Sequence, residues 1–294
     1  MEASLNLDIP GKISELDLLL KKVLPKNVVW TSVLSKGLEF DGYRDYSEID
    51  DSLNIDWKAS KRASKILVKK YLEEKDRSFL FFIDVSENMV FGSTEKLKCE
   101  YAAEISAALA HRILNEGDKV GFLFYNNKLV SFDISKPGKR QFEIFVDKLS
   151  NPFIYGGGSN LNEILEDFLP KIDNTTSLIF LISDFSTVDY SYKNNFELLG
   201  KSFETIALII KDPLDKTLPE IDKEIVIENP QNGERLLINP KLAKNSYEEN
   251  AIKNLNELKN LFSECNIDFI ELDTNQNSSL LIAEFLEERL KRRK

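Results

Sequence analysis

From residue 78 onward the chain alternates between short, wholly apolar runs and longer stretches whose apolar residues recur at helical spacing. Phe79-Leu80-Phe81-Phe82-Ile83 and Leu178-Ile179-Phe180-Leu181-Ile182 contain no polar position. Runs of that length and composition read as strands buried on both faces. Each leads to an aspartate, Asp84 directly and Asp184 after Ser183. Between them, residues 96–116 read as a long helix whose alanines at 102, 103, 107, 108 and 110 permit close packing on a sheet. Gly117 fits its left-handed cap. Strands at 120–125 and 129–134 flank Asn126-Asn127-Lys128, a hairpin turn. Helices follow at 140–149 and at 160–169, the second closed by Pro170. Further on come a helix at 192–201 and a strand at 204–210. Segments 224–227 and 235–238 bracket Asn232-Gly233, a strong hairpin signal. A helix at 247–265, a strand at 267–272 and a helix at 279–292 complete the chain.

Buried strands separated by amphipathic helices predict an α/β fold with a doubly wound, mostly parallel, Rossmann-type sheet flanked by helices. The hairpin at 120–134 adds one antiparallel edge strand, and the hairpin around Gly233 is an insertion. Residues 1–76 read differently. A helix at 13–24 stops at Pro25, an extended β-branched segment covers 28–33, a polar and acidic stretch covers 41–61, and a strand-like run covers 66–72. The expected division is an N-terminal extended elaboration over 1–76 and an α/β domain over 77–294. Trp57 is expected to pack inward and anchor the first part on the second, because a large aromatic usually does.

Composition narrows the function classes. Lys and Arg number 39 against 49 Asp and Glu, a formal net charge of −10. An acidic chain is poorly suited to the phosphate-backbone binding that clustered cations provide, so no nucleic-acid partner is expected. The basic end at 291–294 suits the negative end of a helix dipole. Cys99 and Cys265 share no metal-ligand spacing and read as buried free thiols of a reducing compartment. The first residues lack the basic and apolar regions of a signal peptide, and the apolar runs are strand-sized. A cytoplasmic protein without direct membrane insertion is the expectation.

The candidate chemistry converges on one end of the sheet. In an open parallel sheet, ligands sit outside the carboxyl ends of the strands, near the point where strand order reverses. Three loops meet that description: Asp84-Val85-Ser86-Glu87-Asn88, Gly156-Gly157-Gly158-Ser159-Asn160, and Ser183-Asp184. Asp84, Ser86, Asn88, Ser159 and Asp184 offer the oxygen donors a hard cation such as Mg²⁺ or Mn²⁺ prefers, with Asp184 acting directly or through water. The glycines leave Ser159 free to bend over the site. The glycine loop lacks the lysine of a phosphate-binding P-loop. The single histidine, His111, lies mid-helix and no Gly-x-Ser-x-Gly elbow exists, so a serine hydrolase has little support.

The three loops resemble the metal-ion-dependent adhesion site of von Willebrand factor A domains, whose pattern is Asp-x-Ser-x-Ser, a threonine in the second loop and an aspartate in the third. Asp84, Ser86 and Asp184 match it, Ser159 keeps the hydroxyl, and Asn88 stands in place of a serine. A second resemblance lies upstream. Tyr43-Arg44-Asp45-Tyr46, Asp50-Asp51, Ile55-Asp56-Trp57-Lys58-Ala59-Ser60-Lys61-Arg62 and Leu67-Val68-Lys69-Lys70-Tyr71-Leu72-Glu73-Glu74 are similar to the signature of a bacterial family, the domain of unknown function 58. Ile49, Leu53 and Lys61 depart from that signature. The resemblance implies a partner of MoxR-type AAA+ ATPases, with an assembly or chaperone-like role.

The functional expectation is therefore a non-enzymatic protein-binding module whose cation captures an acidic side chain of a partner. Two alternatives stand beside it. One is a metal-dependent phosphohydrolase with Asp84 as nucleophile, although no Lys or Arg lies in 84–92 or 154–164 to clamp a phosphate. The other is a structural subunit with a vestigial metal site.

Overall fold

The computed structural model describes residues 5–23, 38–47, 55–73, 77–228 and 233–292. Within them the chain runs α1 (Ile9–Val23), β1 (Leu38–Asp45), α2 (Trp57–Ala63), β2 (Leu67–Glu73), β3 (Ser78–Asp84), α3 (Lys98–Asn115), β4 (Lys119–Tyr125), β5 (Leu129–Pro137) and α4 (Lys139–Ser150). It continues through α5 (Leu161–Phe168), β6 (Thr176–Ser183), α6 (Lys193–Ser202), β7 (Thr205–Lys211), β8 (Ile225–Glu228), β9 (Arg235–Ile238), α7 (Pro240–Glu264), β10 (Asp268–Asp273) and α8 (Ser278–Arg292).

The main sheet has six strands in the order β10-β7-β6-β3-β4-β5. Its pairs are parallel except β4 with β5. The expected doubly wound α/β sheet with an antiparallel edge strand is what forms. The reason is visible along the central strands. In β3, Phe79, Phe81 and Ile83 enter one apolar cluster while Leu80 and Phe82 enter the other. β6 does the same with Leu178, Phe180 and Ile182 against Ile179 and Leu181. A strand whose side chains alternate between two cores must be apolar at every position.

Helices α1, α3, α4 and α8 fill the first core, with Phe81 stacked on Phe180 at 4.8 Å and Phe145 within 5.5 Å of Phe81. Helices α5, α6 and α7 fill the second, around Phe196, Leu199 and Phe262. Helix α1 belongs to the first core through Leu16 and Leu20, 1% and 0% exposed. It covers the sheet domain rather than standing apart from it.

Two smaller antiparallel sheets lie apart from the main one in hydrogen bonding, β1 with β2 and β8 with β9. The first takes in Leu38–Asp45, which overlaps the stretch read as polar and acidic with no element assigned to it, and its register shifts between Phe40 and Gly42. Helix α2 is capped by the Asp56 carboxylate, which accepts from the N–H groups of Lys58 and Ala59. Trp57 is 67% exposed, contrary to the inward packing expected of it. As the first helical residue after the cap, it projects outward. The expected extended segment at 28–33 and the Asp50-Asp51 pair lie outside the described residues.

Candidate functional site

The chain leaves β3 for β4 on one side and later returns to β6 on the other, so strand order reverses between β3 and β6. Asp84 ends β3 and Ser183 ends β6. The backbone ties three loops together here. The Val85 N–H donates to Tyr125 O at 2.8 Å, and Gly156 N–H donates to Val85 O at 2.8 Å. The Glu87 N–H donates to Gly157 O at 2.8 Å. Asn126 Nδ2, from the turn after β4, holds Gly156 O at 2.7 Å. Gly157 has φ +79°, and a Cβ there would meet that amide nitrogen at 3.1 Å. A left-handed backbone in so close a space suits glycine.

Asp84 sits at the centre, 1% exposed. Its Oδ1 accepts from the Ser86 N–H at 2.8 Å. Its Oδ2 accepts from Ser159 Oγ at 3.0 Å and from Ser183 Oγ at 2.7 Å. One carboxylate thus draws on all three loops. The Ser86 hydroxyl lies beside it, fully buried and with no hydrogen-bond partner of standard geometry among the described residues. Burial, followed by the charge of Asp184, pushes the Asp84 carboxyl above its ordinary range, and the hydrogen bonds from Ser86 and Ser183 oppose this.

Asp184 has different surroundings. Its Oδ1 accepts from the N–H and Oγ of Ser186 at 3.0 and 2.8 Å. Its Oδ2 accepts from Lys98 Nζ at 2.7 Å, and its backbone O from Lys211 Nζ at 2.7 Å. Burial would raise this carboxyl, but the Lys98 and Lys211 ammonium groups overcome it and hold it below the usual range. Lys98 also reaches Asp215 Oδ2 at 3.1 Å. Burial opposes its charge, yet the two carboxylates carry its pKa above the ordinary lysine value.

The sequence-predicted set therefore divides. Asp84, Ser86 and Ser159 are brought together directly. Asp184 is close enough for its charge to act on Asp84, but both its oxygens are engaged elsewhere. Residues Glu87–Met89 form a single 3₁₀ turn, so strand-like alternation stops before Asn88. Asn88 Nδ2 donates to Ser186 Oγ at 2.9 Å, clasping the first loop to the third.

Sequence reasoning missed two participants. Ser183 supplies the hydroxyl that touches Asp84 from the third loop, and its position one residue before the aspartate could have signalled it. Lys98 was missed because it lies beyond the first loop. A lysine in the first turn of a helix, against the dipole, was the available sign.

The donors fit a hard cation in one respect. The buried Ser86 hydroxyl lies beside an ionisable carboxylate without a hydrogen bond of standard geometry, a cost to the protein that a bound cation would offset. The set is otherwise sparse, since among the described residues no group of three or more His, Cys, Asp or Glu is placed to hold a metal. Phe185 follows Asp184 with φ +53°, a strained conformation for a bulky residue, and turns its ring onto Phe262 at 5.1 Å. A groove of about 580 Å³ opens next to Ser186, lined by Phe185, Val188, Tyr190, Tyr247 and Leu255, with Lys211 and Asp215 among its polar residues.

Among known proteins, the chain is similar to uncharacterized proteins of Mycobacterium bovis and Mycobacterium tuberculosis, at 20% identity over 189 residues. The match takes in 64% of this chain and spans 59% of the length of those relatives. Solved structures similar to it include BatB from Bacteroides thetaiotaomicron, with 13% identity, 73% of this chain and 99% of that one covered, and a TM-score of 0.44. An aerotolerance-related membrane protein from Bacteroides fragilis gives 11% identity, coverage of 74% and 99%, and a TM-score of 0.46. A von Willebrand factor type A protein from Catenulispora acidiphila gives 11% identity, coverage of 76% and 44%, and a TM-score of 0.39. The family model for the protein of unknown function DUF58 matches residues 42–257, well over half of the chain and reaching from the β1–β2 hairpin through the Asp84 site into α7, so the chain belongs to the DUF58 family.

Proposed function

We propose that this chain is a non-enzymatic, cytoplasmic protein-binding module that holds Mg²⁺ or Mn²⁺ through Asp84, Ser86 and Ser159. Asn88 sits at the rim, buried Asp184 stands behind the site with its charge acting on Asp84, and the cation captures an acidic side chain of a partner protein. The observation that supports this reading is the meeting of donors from three loops on one buried carboxylate at the strand-order switch, the Ser86 N–H and the Ser159 and Ser183 hydroxyls, with the Ser86 hydroxyl beside it lacking a hydrogen bond of standard geometry. A divalent cation there would supply charge for a carboxylate to bind, while retaining water at its other positions. The groove beside Ser186 gives a partner's flanking residues somewhere to lodge.

The motif resemblance to von Willebrand A domains and the MoxR association implied by the family signature name the partner class, a MoxR-type AAA+ ATPase, and an assembly or chaperone-like task. The phosphohydrolase alternative gains no support from the lysines near the site. Lys98 is held by Asp184 and Asp215, and Lys211 bonds the Asp184 carbonyl, so neither forms an open phosphate clamp.

The test is affinity capture with the tagged full chain in Mg²⁺ and in chelator, with captured proteins identified by mass spectrometry. An AAA+ ATPase recovered in Mg²⁺, and lost both with chelator and with Asp84→Ala, is the expected result. A captured set that is indifferent to chelator and to Asp84→Ala refutes cation-mediated capture.

A further inference from the structure

A buried ammonium stands where the second carboxylate of the site would otherwise be free. Lys98 is the first residue of α3 and 2% exposed. Its Nζ lies 2.7 Å from Asp184 Oδ2 and 3.1 Å from Asp215 Oδ2, with the Phe91 ring centred 5.6 Å away. Structural considerations alone disfavour a lysine here. A cation in the first helical turn opposes the dipole, and a buried ammonium is costly unless carboxylates hold it. The arrangement also has a direct consequence for a cation at Asp84. With Ser186 on one oxygen and Lys98 on the other, Asp184 cannot turn both oxygens to a metal while Lys98 keeps its grip.

Charge counting points the same way. The cluster of buried Asp84, Asp184 and Lys98 with partly buried Asp215 and Lys211 carries one net negative charge when all five are ionised. Removing the lysine charge would double it, and the attraction for a divalent ion would rise accordingly.

We infer that Lys98 sets the cation affinity of the site by keeping Asp184 engaged. The cation is then held by Asp84 and the serine hydroxyls alone, loosely enough for an arriving partner carboxylate to decide whether the ion stays. This rests on the cation-binding reading above and adds the regulation of that site. Cation and partner binding become linked, each tightening the other by the same factor. Lys98 acts as a positioning residue, through Asp184, and touches neither ligand.

The experiment is Mn²⁺ titration of the full chain, followed by the electron paramagnetic resonance signal of free Mn²⁺. Four proteins are compared: the unmodified chain, Lys98→Met, Asp184→Asn and the double variant. Lys98→Met is expected to bind Mn²⁺ about tenfold more tightly or better, the size of effect a unit charge has at close range. Asp184→Asn alone is expected to weaken binding, since it removes a unit charge near the ion, and in the double variant the gain from Lys98→Met is expected to fall below about threefold, a coupling that independent sites do not show.

Lys98→Met leaves Asp184 without its ammonium, so near-ultraviolet circular dichroism must show native packing. If that variant fails to fold, Asp215→Asn serves instead. It leaves Lys98 resting on Asp184 alone and is expected to weaken Mn²⁺ binding. Unchanged or weaker binding in folded Lys98→Met, or unchanged binding in Asp215→Asn, overturns the inference while leaving the cation site standing. Mn²⁺ binding by none of the proteins removes the cation site and the inference together. Binding by Lys98→Met but not by the unmodified chain upholds the role of Lys98 and removes cation capture from the native protein.

Discussion

Buried carboxylates at this edge of the sheet have been given different partners, and those partners decide what each does. Asp212, fully buried, accepts from Ser93 N–H and Oγ at 2.8 and 2.5 Å, from Leu214 N–H at 2.9 Å and from Thr274 Oγ1 at 3.2 Å. It staples the β3–α3 loop to the ends of β7 and β10. Burial would raise its carboxyl, but these donors outweigh it and hold it below the ordinary range. A depressed folded pKa means the stabilisation is complete above the unfolded value near 4 and is lost as pH falls through the folded pKa. Asp212→Asn should therefore cost about 2 kcal/mol at neutral pH, and the difference from the unmodified chain should shrink as pH drops below about 4. Urea unfolding at a series of pH values measures it, and a gap independent of pH would contradict the assignment.

Legibility at this scale followed local chemistry. Asp84, Ser86 and Ser159 could be read because strand-end and glycine-loop positions carry their own signals. The roles of Asp212, Lys98 and Ser183 were harder to read, because they arise from loops more than 80 residues apart in sequence meeting in space, and the local signs at Lys98 and Ser183 do not name the partner.

Elements were read best where one periodicity dominates. The wholly apolar β3 and β6, and the alanine-rich α3, formed close to the expected positions. Helix α7 begins at Pro240, seven residues before the start expected at Tyr247. Its first two turns carry Pro240, exposed Leu242 and Ala243 among polar residues and present no apolar stripe at helical spacing, although the Asn239 cap followed by proline was a usable start signal. Strand β1 was missed because its pairing with β2, not its own pattern, makes it a strand.

Helix packing gives a sharp test at the same scale. A Cβ on Gly200 of α6 would come within 1.8 Å of the Cys265 carbonyl oxygen at the end of α7. That backbone atom has no side-chain freedom with which to yield. Gly200→Ala should lower stability by about 2–3 kcal/mol despite the better helix propensity of alanine. A urea midpoint equal to or above that of the unmodified chain would show that the two helices can separate freely.

At the scale of the whole molecule, the doubly wound order brings β3 and β6 side by side and so makes the site possible. The alternation of apolar runs and amphipathic helices was enough to expect that class of fold, since few topologies satisfy it. The position of α1 was not legible, because an amphipathic helix does not reveal which core its stripe will join. The hairpin insertion expected around Gly233 forms as the separate β8-β9 sheet, but the pattern does not foretell that Val226, Leu236 and Leu237 in it are about 60% exposed.

The account depends on a cation seated at Asp84, and calorimetric titration of Mn²⁺ into the metal-free chain tests it most directly. Saturable binding at one site, lost in Asp84→Ala and weakened about tenfold or more in Ser86→Ala, is the expected result. Heats no different from those of Asp84→Ala, in a chain shown to be folded, would contradict it.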